Sequence, residues 1–205
     1  MAYQHDIFIS YRRHLFTREW INRHFRPLLE FWIEFELGRK PDIYIDTQLD
    51  NDIGTVWPVQ LGREISSSKI LIPLWTKNYL NSIWCTCEVS HMLEREIVTG
   101  WKTEQNSRAL VVPVIIQDGE TLPINLSIVQ GLDIKDYFKA RMREDSREAE
   151  ELDTKIKSVA SAIAKCINNV PEWKNDWQIK AVNQFYNLFY KGPNPEQTQP
   201  PKFSS

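Results

Sequence analysis

Apolar positions along this chain change period as the chain advances. Short apolar runs read as buried strands: Asp6–Ser10 (DIFIS), Ile43–Asp46 (IYID), Lys69–Trp75 (KILIPLW) and Leu110–Ile116 (LVVPVII), with Gly131–Ile134 (GLDI) as a short fifth. Between them the spacing turns helical. Trp20, Phe25, Leu28, Leu29, Trp32 and Phe35 form a face on Thr17–Arg39. Pro27 falls inside that stretch, so either the helix kinks there or a turn divides it, and Gly38 is its stop. Pro58 suits the first turn of a second helix, whose face holds Trp57, Leu61 and Ile65 and which ends at Ser66-Ser67-Ser68. A third begins around Trp84–Glu88 and runs to about Thr99, closing near Gly100. Arg147–Ile167 carries Leu152, Ile156, Val159 and Ile163 on one stripe. Pro73 and Pro113 interrupt strand runs, where proline removes a ladder donor.

Strands alternating with helices predict an α/β domain with a mostly parallel sheet and helices on both faces. Residues 1–168 make that domain. Residues 169–192 read as a C-terminal helical extension. Trp173, Trp177, Phe185, Tyr186, Phe189 and Tyr190 are more aromatic surface than water tolerates, so the extension is expected to pack on the domain. Residues 193–205 (PNPEQTQPPKFSS) read as a linker or disordered tail. That ending suits an N-terminal effector cut from a longer protein; a stand-alone chain stays open.

Composition removes several function classes. A net charge of −2 gives no electrostatic case for nucleic-acid or membrane-surface binding. No apolar run reaches membrane-spanning length, and Met1 leads into polar residues, so no secretory signal is expected. Three cysteines, Cys85, Cys87 and Cys166, have no framework spacing and suggest reduced thiols in a cytoplasmic protein. Cys87 and His91 share a helical face but are too few to hold a metal, so none is expected. No Gly-rich phosphate loop follows the first strand, and no His-Glu-x-x-His or G-x-S-x-G occurs. An enzyme with this sequence must work through carboxylates and positioning.

Two stretches carry candidate chemistry. In Tyr79–Glu94 (YLNSIWCTCEVSHMLE), Trp84 and Glu88 are four apart and share a helical face, an aromatic beside an acid. The helix dipole alone also favours an acid in a first turn. Tyr11-Arg12-Arg13-His14 follows the first strand, where open α/β sheets bind ligands, and arginines there suit phosphates. Solvated loop arginines are the plain alternative.

In order, these motifs resemble the TIR domain family. DIFISYRR is similar to its opening strand and loop. IYIDTQLDNDIGTVW is similar to its second strand and BB loop, and KILIPLWTKNYLNSIWCTCE to its third strand and S-x-W-C-x-x-E signature. LVVPVII is similar to its fourth strand. The match covers roughly Tyr3–Cys166 and looks like the bacterial NAD-cleaving, antiphage type. Trp75-Thr76 departs from the serine many members carry before the asparagine–tyrosine pair. The resemblance implies a flavodoxin-like fold with a parallel five-stranded sheet flanked by helices. It implies NAD+ as substrate, no cofactor, and Glu88 as the catalytic residue. Ser10, Tyr11, Arg12, Asp46 and Trp84 would bind substrate, with Tyr11 a candidate to stack on nicotinamide, Arg12 to meet the diphosphate and Asp46 a ribose hydroxyl. Asp50, Asn51, Asp52, Ile53, Gly54 and Trp57 would form the BB loop of TIR–TIR self-association. Further partners implied are a downstream domain or effector. The product stays open between ADP-ribose and a cyclic or rearranged derivative. The alternative is a TIR module without chemistry that signals by self-association.

Overall fold

The computed structural model describes residues 2–45, 56–103 and 107–191, with 189–191 as backbone only. Strands β1 (His5–Tyr11), β2 (Ile43–Ile45), β3 (Ser68–Trp75), β4 (Val114–Ile115) and β5 (Leu132–Asp133) form one sheet. Its order is β2-β1-β3-β4-β5, and every pairing is parallel. This is the flavodoxin-like doubly wound order, whose direction of winding reverses between β1 and β3. These two strands form the longest ladder, from His5 opposite Ser68 to Tyr11 opposite Leu74.

The expected fourth strand, Leu110–Ile116, is shorter than its apolar pattern. Leu71 bonds the Leu110 carbonyl and accepts from Val112, at 2.8 and 2.9 Å, and then Pro113 has no N–H to continue the ladder. Pairing resumes at Val114 opposite Leu74. Gly131 packs so closely there that a Cβ would lie 2.5 Å from the Pro113 carbonyl oxygen.

Around the sheet stand α1 (Leu15–Trp20), α2 (Arg26–Leu37), α3 (Trp57–Ser66), α4 (Ile83–Thr99), α5 (Ile124–Ser127), α6 (Arg147–Asn168) and α7 (Asn175–Lys191). The expected helix over Thr17–Arg39 neither kinks sharply nor breaks. A π-helical turn, Ile21–Phe25, joins α1 to α2, and Arg26 N–H bonds the Ile21 carbonyl five residues back. Pro27 follows and, lacking an N–H, leaves the Arg23 carbonyl without its helical donor. The extra residue brings both Trp20 and Phe25 to the core, stacked at 5.9 Å, and shifts the phase of α2. Ile33 is therefore buried, and Phe35, expected on the inner face, is 69% exposed. Gly38 ends α2 at φ 67° and Gly100 ends α4 at φ 71°, the left-handed conformation that glycine adopts without strain.

Strand alternation divides the core in two. Ile7, Ile9, Tyr11, Ile70, Ile72 and Leu74 face α2 and α6. Phe8, Leu71 and Trp75 face the opposite layer, with residues of α3, α4 and α7. Helix α7 buries Trp177, Ala181 and Phe185. It lies against α3 at Gly62, where a Cβ would meet the Val182 backbone at 2.8 Å. Trp173 donates to the Ser66 carbonyl at 3.1 Å, and Tyr3 to the Pro171 carbonyl at 2.8 Å. Arg95, almost fully buried, sits over the rings of Tyr3 (5.5 Å) and Trp177 (4.3 Å). Among the described residues, no helix is long and apolar enough to cross a membrane.

Candidate active site

At the C-terminal rim of the sheet, the last residues of β1 leave in opposite directions. Ser10 and Tyr11 are neighbours in a strand, so their side chains take opposite faces. Ser10 turns to the α4 side and is 1% exposed. Its Oγ donates to Glu88 Oε2 and is 2.5 Å from the Tyr79 hydroxyl. Ser10 has a single proton and gives it to Glu88, so Tyr79 donates to Ser10. The result is a chain of hydroxyls, Tyr79 to Ser10 to Glu88, that aims the carboxylate. Burial pushes the Tyr79 phenol well above its ordinary range, and the nearby Cys85 and Glu88 add to the effect, so Tyr79 keeps its proton as a donor.

Glu88 does not occupy a first turn. Ser82 caps α4, its side chain accepting from Cys85 N, and Glu88 is a turn further in and 3% exposed. The dipole preference that explains a first-turn acid therefore does not account for Glu88. Trp84 shares its face, half-buried. The Trp84 ring meets Trp57 edge-on at 4.4 Å and stacks on Phe185 at 6.1 Å. The Arg13 guanidinium lies 5.5 Å from the Trp57 ring centroid. Cys87 beside it is held as a thiol, pushed up to about 11 by burial and by Glu88. His91, the other half of the sequence pair, is pushed down to about 3 by burial, then by Arg95 and Lys180.

A cleft of about 450 Å³ opens at the same rim, lined by Tyr11, Arg12, Arg13, His14, Thr76 and Asn78 among others. No carboxylate is among its described lining residues, so its polar wall favours an anion. Its residues adjoin the hydroxyl chain in sequence: Tyr11 follows Ser10, and Asn78 precedes Tyr79. Arg12 is exposed and reaches the Asn78 carbonyl at 3.5 Å. Tyr11 is 4% exposed and belongs to the core on the other face of the sheet from Glu88.

The structure thus brings Ser10, Trp84 and Glu88 together, with Trp57 against Trp84 as the first residue of α3. It sets Tyr11 on the far face and Arg12 at the cleft. Asp46, Asp50, Asn51, Asp52, Ile53 and Gly54 lie outside the described residues. Sequence reasoning gave no role to Tyr79 or Phe185 at this site, and offered Arg13 only as one of two loop arginines suited to phosphates. Strand parity could have shown Ser10 and Tyr11 diverging. Nothing in the sequence marks the contact of Tyr79 with Ser10, 69 residues apart.

The sequence profile of the TIR domain matches residues 7–154. The chain belongs to the TIR domain family. Among solved structures, it is similar to the TIR domains of the activated Roq1 resistosome directly recognising the pathogen effector XopQ. That likeness covers 90% of this chain and 98% of the other at 18% identity, with a TM-score of 0.34. A comparison with curated proteins finds no match.

Proposed function

We propose that this TIR domain cleaves the nicotinamide N-glycosidic bond of NAD+, with Glu88 as the catalytic residue. The observation that carries the reading is the buried Glu88 carboxylate, aimed by Ser10 and Tyr79 and sharing a helix face with Trp84, at the same rim of the sheet as a cleft lined by Arg12 and Arg13. Nicotinamide carries its positive charge before the bond breaks and leaves neutral, so its departure needs no acid. The C1′–N bond opens with its electron pair going to nicotinamide, and positive charge develops on the ribose. A fixed carboxylate stabilises that charge. Ordinary glycosidases use two carboxyls because their leaving group must be protonated. Water then adds at C1′ and releases a proton, giving ADP-ribose; a hydroxyl or adenine nitrogen held closer gives a cyclic product. Arg12 and Arg13 suit the diphosphate, and Trp84 forms the pocket wall.

The setting in bacterial antiphage immunity follows the style of the motifs, as does activation through TIR–TIR contacts. In that setting NAD depletion or an ADP-ribose-derived signal would be the output. Specific activity is then expected to rise with protein concentration, and Asp52→Lys to lower it with the fold kept. The test of the central reading is incubation of purified protein with NAD+ beside Glu88→Gln. Equal NAD+ loss in both would remove Glu88 from the mechanism.

One observation favours a second reading, a TIR module that acts by self-association alone. Glu88 is buried and bonded inside the core, as a purely structural acid is. The same assay decides: absence of NAD+ loss at every protein concentration, with assembly retained, establishes that reading.

A further inference from the structure

Helix α7 lies beyond the residues that the TIR profile matches, which end at 154 inside α6. It nonetheless reaches the wall of the Glu88 site. Phe185 is fully buried and stacks on Trp84, centroids 6.1 Å apart and planes 17° apart. Gln184 hydrogen-bonds Cys87, the residue before Glu88. Trp84 passes the contact on to Trp57 at 79°, and Trp57 lies beneath Arg13 of the cleft. Four elements therefore meet in one column: α7, α4, α3 and the loop after β1. The column does not arise from loose apposition. Gly62 lets α7 approach α3 backbone to backbone, and Arg95, Trp173 and Tyr3 fix its N-terminal end and the segment before it.

We propose that α7 is a working part of the site and that Phe185 is a positioning residue for Trp84. Trp84 is half-buried, and an indole with a ring on one side only can turn about its outer torsion. Placed between Trp57 and Phe185, it is confined to one orientation, and with it the Trp57–Arg13 wall. An aromatic pair shifts such an equilibrium by about two- to tenfold. This inference rests on the NAD+-cleaving reading above. It differs from plain core packing in its consequence, because loss of the ring changes substrate handling more than it changes stability.

The experiment uses the full chain and steady-state NAD+ kinetics with melting curves. Phe185→Leu keeps an apolar side chain with most of the volume and removes the ring. It is expected to melt close to the parent and to raise KM for NAD+ by about three- to tenfold, with kcat within about twofold, the signature of lost binding. In a Trp84→Ala background, Phe185→Leu is expected to add no further change, since its effect runs through Trp84. Gln184→Ala, an exposed change, is expected to move KM the same way by less, and reads the brace even where Phe185→Leu fails to fold. Lys180→Ala, which removes the ion pair to Glu94 on the exposed side of α7, serves as the α7 control and keeps parent kinetics. Parent KM and kcat in both Phe185→Leu and Gln184→Ala overturn the inference, as does an equal Phe185→Leu effect with and without Trp84. Glu88→Gln run alongside separates the two levels. An active Glu88→Gln overturns the catalytic reading, and an inactive one beside parent-like Phe185→Leu overturns the brace alone.

Discussion

Both rims of the sheet bury a carboxylate close to β1, and the two are held by different chemistry. At the N-terminal rim, Asp6 takes both Arg39 Nη atoms at 2.6 and 2.7 Å, Lys69 at 2.8 Å and the Asp42 backbone N–H at 3.0 Å. Burial pushes the Asp6 carboxyl up, yet Arg39 and Lys69 outweigh it and bring the value down to about 2. At the C-terminal rim, Glu88 takes the Ser10 hydroxyl, which in turn takes Tyr79. Cations cancel the charge of a carboxylate; hydroxyl bonds orient it without cancelling it. Glu96 follows the first pattern, with Lys102 at 2.8 Å and the Leu110 and Val111 N–H groups. Asp6 and Glu96 fasten strands and loops through lysine, arginine and backbone N–H groups, whereas Glu88 is bonded to the Ser10 hydroxyl.

Exchanging each acid for its amide tests the contrast most directly. Glu88→Gln is expected to lower NAD+ turnover by about two to three orders of magnitude, with the fold intact by circular dichroism. Asp6→Asn is expected to do the reverse, leaving turnover per folded molecule unchanged. It would lower stability by about 2 kcal/mol in denaturant melts, a figure discounted because Arg39 is half-exposed.

The pH dependence of stability sharpens the same point. A carboxylate with a depressed folded value stabilises above its unfolded value and loses that contribution as pH falls. The parent should therefore lose stability as pH drops from about 3.8 towards about 2, and Asp6→Asn should show a shallower fall in that window. His5 works in the other direction at the same rim. Burial pulls it down, but bonds to Glu64 and Asp42 prevail and raise it, so its contribution is present in mild acid and fades as pH climbs above 6.5.

Tyr79→Phe is the subtler probe of the hydroxyl chain. It keeps the ring and removes one buried bond, for an expected stability loss of about 1 kcal/mol. Turnover should fall by about tenfold, as a positioned general group loses its alignment. Parent turnover in Tyr79→Phe would show that Ser10 alone aims Glu88.

Much of the sheet was legible in the chain because DIFIS, IYID and KILIPLW are apolar on both sides, as parallel strands buried on two faces must be. Gly38 and Gly100 marked helix ends for the reason that places them there. The fourth strand was overread because apolarity persists through Pro113 while the hydrogen-bonding capacity does not. Of the site, the Trp84–Glu88 pair was visible from helical spacing. Ser10 is expected at the site from its place in the family motif, while its contact with Glu88, which joins residues 78 apart, leaves no mark in the sequence. Tyr11 is expected at the site from its place in the family motif, and strand alternation sends it to the face opposite Ser10. Phe185 read only as an apolar position in a helix, because an aromatic that packs on a core and one that braces a pocket look alike in sequence.

The π turn at Ile21–Phe25 makes the length of this stretch as important as its composition. Each helical residue turns the chain by about 100°, so shortening the turn by one would rotate everything from Arg26 to Leu37 by that angle about its own axis. Leu29 and Ile33 would swing out of the core beside α6, and polar positions would swing in. A one-residue deletion here, conservative by any measure of residue similarity, would act like a wholesale rewriting of a helix face. Exchanging the side chains within the turn one at a time would leave that face where it is.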